Sequence, residues 1–594
     1  MAVNELTEYL KTAFDYKNAG NYKESIDYFY KALALDNESI EILKELASLY
    51  AKLYKYDRSI SLYEQIISKE ENNKDTKFRL AKLFKYRKMT DKAVNLFTEL
   101  YNSDYEIDAC AKELFEILSD KSDWTEIIEL FNKNANKLKD SVVIYYAAYA
   151  HLKAGNNKVS MEYFKKAYET DEGNIAAGTE IVKNLFECGN IKDAESMAYN
   201  LLQYGETQEI YSLLSDIAYQ KSDIDTAIKY GSYAVNINQN NAEVYFKLAI
   251  LFSLKGYVRE AEECYCKAIS IEPDNIYYNY ALAYEYYMTG KKELSVKLTD
   301  FILDKEPDNV STLSLKALIL TDNNDLSAAK LFIDRIDKVN TESDFPYYVQ
   351  AKYYSKLNMY EHAVDSIKKA INNNEQSIEY KYMLSQLYYE LGKFEDAKNI
   401  CEKIIEKESK YVQAYILLAK INKQKHDYYK VNENTEKILK LDRNIPEIYC
   451  INAEMFFEQK NYEKAVENYK IAVSMLPDDE LLYVKIAQCY YELENYKEAY
   501  EYYKEASDFD VSNAEYRYYM AKCCMNIEDA EGAKYNFSLM KRLAPNNVEY
   551  IKAYADYMYS LGKKRSAKNI ISSLLKLSDD KVKDELKQHM KAYK

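Results

Sequence analysis

The chain repeats itself every thirty-four residues, and that period restricts the fold more than any other property of the sequence. Taking Ala249 as the eighth position of a unit that starts at Ala242, steps of thirty-four reach Ala283, Ala317, Ala351, Ser385, Ala419, Ala453, Ala487, Ala521 and Ala555. The twentieth position runs Ala261, Ser295, Ala329, Ala363, Ala397, Val431, Ala465, Ala499, Ala533 and Ala567. Small residues held in phase at two positions mean that two backbones approach closely at the same place in every unit. Within 242–275, Leu248, Ala249 and Phe252 share one helical face and Gly256 interrupts it. Ala261, Tyr265 and Ala268 then give a second face before Pro273 ends the unit. Each unit therefore reads as a helix hairpin.

Earlier units start near Leu6, Ile40, Lys74, Asp108, Ser141, Ile175 and Gln208, with one residue lost around the fourth and the sixth, giving about seventeen hairpins. Seven of the twelve glycines (Gly20, Gly155, Gly189, Gly256, Gly290, Gly392, Gly562) fall at the turn between the two helices, where positive φ suits glycine. Pro273, Pro307, Pro477 and Pro545 close units, and Pro346 and Pro446 open first helices, where a missing N–H costs nothing.

A period of thirty-four with small residues where helices touch, an aromatic (Tyr265) ahead of the last Ala268 and a closing Pro273 resembles the tetratricopeptide repeat. The resemblance implies an all-α fold: an α-solenoid, wound as a right-handed superhelix of about seventeen hairpins. We expect residues 1–140 to form an N-terminal array ending in a degenerate repeat, 141–581 a continuous array, and 582–594 a polar C-terminal capping helix over the last apolar face. The degenerate unit, 108–140, carries Phe115 and Ile127 at the two small positions and the only Trp, Trp124. It reads either as a repeat repacked around larger side chains or as a hinge. The cluster Lys563, Lys564, Arg565 and Lys568 reads as a solvated face.

Composition excludes several functions. Of 594 residues, 48% are hydrophobic and 30% charged, enough for a core and not the pattern of a disordered chain. A net charge of −15 makes nucleic acid a poor partner. The N-terminus lacks the basic segment and apolar run of a secretion signal, and no stretch approaches the length of a membrane span, so a cytoplasmic protein without direct membrane insertion is expected. The nine cysteines lack metal-site spacing and read as reduced packing residues, including Cys264 with Cys266 and Cys523 with Cys524. His151, His362, His426 and His589 are scattered without partners. Phosphate-cradling loops and nucleophile elbows are absent, so we expect no enzyme, no cofactor and no metal.

What remains is binding to other proteins. In the resembled family the second, fifth, ninth, twelfth and thirteenth positions of each first helix line a concave groove. Carried onto this chain, these are Phe246, Ile250 and Leu254, then Tyr277, Tyr280, Tyr284, Tyr287 and Met288. Farther on they include Tyr348, Lys352, Tyr382, Gln386 and Tyr389, then Phe457, Leu481, Val484, Tyr491, Tyr518 and Lys522. Aromatic rings dominate, the composition of interface anchors, and the fold is expected not to need Phe246, Ile250 or Leu254. The clamp used by family members that hold C-terminal carboxylates is not carried over: Leu10 with Phe14, Lys44 with Ser48 and Phe78 with Lys82 stand at its pairs. The expectation is a non-catalytic scaffold binding partner peptides or helices in a Tyr-rich groove. The alternatives are a subunit of a large assembly, able to self-associate as a homo-oligomer, and the recruiting arm of an enzyme whose catalytic part is another chain.

Overall fold

A computed structural model of the chain describes residues 2–338, 342–575 and 580–593, and among these every regular element is a helix. Thirty-four of the helices pair into seventeen hairpins, from Ala2–Asn18 with Tyr22–Leu35 to Val548–Ser560 with Lys564–Leu575. The chain falls into two compact units, Met1–Leu298 and Thr299–Lys594.

The turn inside each hairpin has one left-handed residue, and its position reproduces the period. It is glycine at the seven places read from the sequence, with φ between 71° and 81°. At the other ten, from Tyr54 to Glu528, a non-glycine residue is held at φ between 56° and 62°. The backbone thus keeps its turn where the sequence does not supply the residue best suited to it. The spacing shortens by one after Ser122 and after Gly189, and in both cases the following helix, Trp124–Asn134 or Ile191–Leu201, has only 11 residues.

Helices touch at the two small positions. Ala13, Ala47, Ala148 and Ala283 are fully buried, and the serine twelve residues later donates its hydroxyl to the alanine carbonyl at 2.6–2.8 Å (Ser25, Ser59, Ser160, Ser295). In the seventh hairpin the brace is reversed, with Ser215 Oγ donating to the carbonyl of Ala227 at 2.8 Å. A serine is tolerated in these contacts because its one polar atom faces a carbonyl. Along the exposed edge, acids at the start of second helices pair with a cation near the turn of the next hairpin: Asp57 with Arg87 at 3.1 Å, Asp91 with Lys121 at 2.7 Å, Asp225 with Lys255 at 2.8 Å. Each such exposed pair stabilises by at most about 1 kcal/mol.

In the fourth hairpin, Ile107–Asp120 with Trp124–Asn134, Phe115 and Ile127 are both 0% exposed in a core that runs without a break from Leu43 to Ile181. Trp124 packs edge-on against Tyr149 of the next hairpin at 5.6 Å. At the other end, the helix Asp580–Lys591 buries Leu586, and the adjoining Tyr593 is buried and stacked on Tyr559 at 4.7 Å. Asp556 accepts from both Tyr593 Oη at 2.6 Å and His589 Nε2 at 2.8 Å.

The cysteines form no disulfide; five are buried as packing residues, whereas Cys188 and Cys266 are exposed and are not the packing residues expected. His151 is buried and stacked on Tyr163. Among the described residues no group of three potential ligands could hold a metal ion, and no helix is long and apolar enough to cross a membrane.

Candidate partner-binding groove

The first patch lies on the first helices of hairpins 8 and 9, Ala242–Lys255 and Ile276–Met288. Phe246 corrects the expectation made for it. It is 6% exposed, stacked on Tyr278 at 4.8 Å and against Tyr277 at 5.0 Å and Tyr265 at 5.8 Å, so the fold does require it. The paired tyrosines that open the ninth hairpin close over the ring. Tyr280 is half-buried, and burial raises its hydroxyl pKa above the ordinary range. Ile250 is half-buried and lines a small cleft of about 190 Å³ with Asp216, Tyr219 and Lys247. Leu254, Tyr277, Tyr284 and Met288 are exposed, and Tyr287 is half-buried with its ring 6.3 Å from that of Tyr284.

The second patch is better enclosed. Tyr348 and Lys352 on Phe345–Lys356 and Tyr382 on Ile378–Glu390 line one cleft of about 740 Å³. Tyr348 donates to Glu379 at 2.7 Å and stacks on Tyr380 at 5.1 Å, which fixes its ring. Lys352 sits over the Tyr348 ring at 5.8 Å and pairs with Asp322 at 3.4 Å. Tyr382 meets Tyr411 edge-on at 5.5 Å, and burial pushes its hydroxyl pKa upward. Rigid rings with polar tips, a cation and the amide of Gln386 in one concave wall can bury an apolar side chain and hydrogen-bond the chain beside it.

Tyr411, which completes the wall, was missed because it caps the helix Val412–Gln424 from outside, two residues before the first of the five pattern positions, Gln413. Its place next to a helix start was the available signal. Among the remaining expected groove residues, Leu481 is exposed and Phe457 packs on Tyr462 at 5.2 Å. Tyr389 lies against Phe394 at 5.5 Å and Tyr491 against Tyr496 at 5.4 Å. Val484 and Tyr518 are buried, which corrects their placement as spare residues: Tyr518 stacks on Tyr550 at 4.6 Å, with Lys522 over its ring at 4.8 Å.

Residues 16–39, 242–275, 346–377 and 378–408 match the family model described as tetratricopeptide repeat. Four segments of the chain are thus tetratricopeptide repeats. Residues 458–538 of the repeat protein also match the model described as anaphase-promoting complex, cyclosome, subunit 3. It is 24% identical over 402 residues to a TPR repeat-containing protein of Methanocaldococcus jannaschii, covering 61% of this chain and 69% of that one. Among solved structures it is similar to a chain of the APC/C hetero-tetramer Cut9–Hcn1, at 14% identity and a TM-score of 0.37 over 89% of this chain and 98% of that one. It is also similar to a chain of Naa15/Naa10 bound to HypK-THB, at 11% identity and a TM-score of 0.35 over 99% of each.

Proposed function

We propose that this repeat protein is a scaffold that holds a segment of another protein in the cleft formed by the first helices of hairpins 11 and 12. The observation that carries this reading is that Tyr348, Lys352 and Tyr382, chosen by repeat position alone, line a single cleft of about 740 Å³. That volume falls within the range of about 300–1,000 Å³ usual for ligand sites. The partner's anchor is an apolar or aromatic side chain set against Tyr382 and Tyr411, with its main chain within reach of Gln386 and Lys352. Within the N-terminal unit, Tyr277, Tyr284 and Met288 are exposed side chains suited to the same kind of contact.

The test is retention of partners from the native cell by the wild-type protein and by a Tyr348→Ala, Gln386→Ala variant, both identified by mass spectrometry. A partner held by wild type and lost from the variant at unchanged helical content supports the reading. Identical partner sets reject it. A second reading, a subunit of a multiprotein assembly, draws support from the match of 458–538 to a family described as a subunit of a complex. Light scattering separates the two: a stable oligomer of the purified chain favours the subunit, and a concentration-independent monomer favours the scaffold.

A further inference from the structure

The edge where the helices of hairpin 2 (Ile40–Lys52 with Tyr56–Lys69) and hairpin 3 (Lys74–Tyr86 with Thr90–Asn102) turn back joins two features that the fold does not use. The first is a ring in an unfavourable place. Tyr54 holds the left-handed position of its turn at φ 59°, a position filled in the other hairpins by glycine or by a polar or charged residue. A bulky side chain there strains the backbone, and Tyr54 gains no burial in return, since it is 77% exposed. Its ring lies edge-on to Tyr56 at 6.2 Å, and the Tyr56 ring meets that of Tyr86 in the next hairpin at 4.6 Å. Tyr86 is 66% exposed. Three rings in contact thus bridge two neighbouring turns, and the outer two are open to solvent.

The second feature is charge. Each turn can be compared over the seven residues that run from two before its left-handed residue to four after it. In hairpin 2 these are 52–58, with Lys52, Lys55 and Arg58 against Asp57; in hairpin 3 they are 86–92, with Arg87, Lys88 and Lys92 against Asp91. No other two neighbouring turns of the seventeen each have two cations to spare, and the whole chain carries −15. Both acids are already engaged, Asp57 with Arg87 at 3.1 Å and Asp91 with Lys121 at 2.7 Å. Lys55 and Lys88 are exposed and have no acid partner among the described residues. Lys52, Arg58 and Lys92 lie over the rings of Tyr22 at 5.2 Å, Tyr50 at 5.6 Å and Phe84 at 5.3 Å, contacts that hold a cation without neutralising it. The positive surface is short: the turn at 18–24 is neutral, and the turn at 120–126 has two acids to spare. A long polyanion would run on into acidic surface, whereas a short acidic peptide would not.

We propose that the turn edge of hairpins 2 and 3 docks a short acidic segment of a partner protein, its carboxylates on Lys55, Lys88 and the neighbouring cations and an aromatic side chain against the exposed rings of Tyr54 and Tyr86. The surface lies on the rim of the groove. Lys52 and Tyr86 stand at the last of the five groove positions, whereas Tyr54, Lys55, Arg58, Arg87, Lys88 and Lys92 lie beyond it in turns and second helices. A basic surface kept only for solubility needs no tyrosine at a left-handed position. The cluster at the last turn, Lys563, Lys564 and Arg565, makes the contrast: it has the charge, but 560–566 contains no ring.

The experiment is fluorescence anisotropy on the full chain with a labelled hexapeptide of glutamates around one phenylalanine; the controls are the same peptide with glutamine for glutamate and a labelled thymidine oligonucleotide. The acidic peptide is expected to bind, with affinity falling as salt rises from about 50 to about 300 mM, and the glutamine peptide is expected not to. The double variant Lys55→Glu, Lys88→Glu should weaken binding about tenfold or more. Lys563→Glu, Lys564→Glu makes the same change in net charge at the last turn and should leave binding unchanged. Tyr54→Gly supplies the residue that the turn favours, so it should keep wild-type helical content while weakening binding about threefold or more. No binding of the acidic peptide, equal losses in the two charge-reversed variants, unchanged affinity in Tyr54→Gly, or tighter binding of the oligonucleotide than of the peptide overturns the proposal.

Discussion

Tyr101 and Tyr503 are two buried tyrosines whose hydroxyls have opposite fates, and removing each hydroxyl should move stability in opposite directions. Tyr101 is 0% exposed and donates to the carbonyl of Leu130 in the next hairpin at 2.8 Å. Tyr503 is 1% exposed, its ring is stacked on Tyr519 at 5.2 Å and 6°, and its hydroxyl has no partner among the described residues. A phenylalanine keeps ring and volume in both cases, so only the hydroxyl term changes. For Tyr101→Phe the loss is one neutral hydrogen bond, about 1 kcal/mol. For Tyr503→Phe the buried, unpaired hydroxyl disappears, and the desolvation it cost, about 1–3 kcal/mol, is recovered. An array of repeats does not unfold in one step, so a global midpoint is the wrong observable. Native-state hydrogen exchange resolved by peptide is the right one. Amides of Thr90–Asn102 should exchange about fivefold faster in Tyr101→Phe, and those of Tyr496–Phe509 about fivefold or more slower in Tyr503→Phe. Faster exchange around Tyr503 in its variant would refute the reasoning, because it would mean that the hydroxyl has a partner after all.

Phe246→Ala should destabilise hairpins 8 and 9 by about 3–5 kcal/mol as a core truncation, whereas Met288→Ala, 62% exposed, should stay within about 0.5 kcal/mol; stepwise urea unfolding followed by circular dichroism compares them. Gly178→Ala should cost about 1–3 kcal/mol by overpacking, since a Cβ there would lie 2.4 Å from Leu201 Cδ2; the same unfolding series checks it. Glu262 is held below the ordinary carboxylate range chiefly by Lys291, with Tyr286 also donating to it. A depressed folded pKa means the stability from this pair is fully present above the unfolded carboxylate value and is lost as pH falls through the lowered one. Carboxyl-carbon NMR should show Glu262 titrating below an ordinary glutamate in wild type and shifting upward in Lys291→Gln.

The hairpins, their turns and their lost residues were readable in the sequence because each depends on residues a few positions apart. Ala13 and Ser25 announce their contact by spacing alone, and Gly256 and Pro273 mark the two turns of their unit in the same way. Groove residues depend instead on what the next hairpin brings. Phe246 occupies a position that faces the groove in the family pattern, yet Tyr277 and Tyr278 arrive about one repeat later and cover it. Tyr518 is covered in the same way by Tyr550. Tyr348, Lys352 and Tyr382 stayed in the wall of a cleft because Tyr380 and Tyr411 pack beside them and leave the space between open. The period says which side a residue faces, but not whether a large neighbour will close over it.

The left-handed turns make the array modular. All seventeen second helices start just after a left-handed residue, so the stretch between two successive turns joins the second helix of one hairpin to the first helix of the next. Copying or excising one changes the length of the array without disturbing the joints. The short helices Trp124–Asn134 and Ile191–Leu201 fit this logic, because a residue deleted between turns leaves the turns themselves unchanged. Surface along such an array is added or removed in steps of about thirty-four residues.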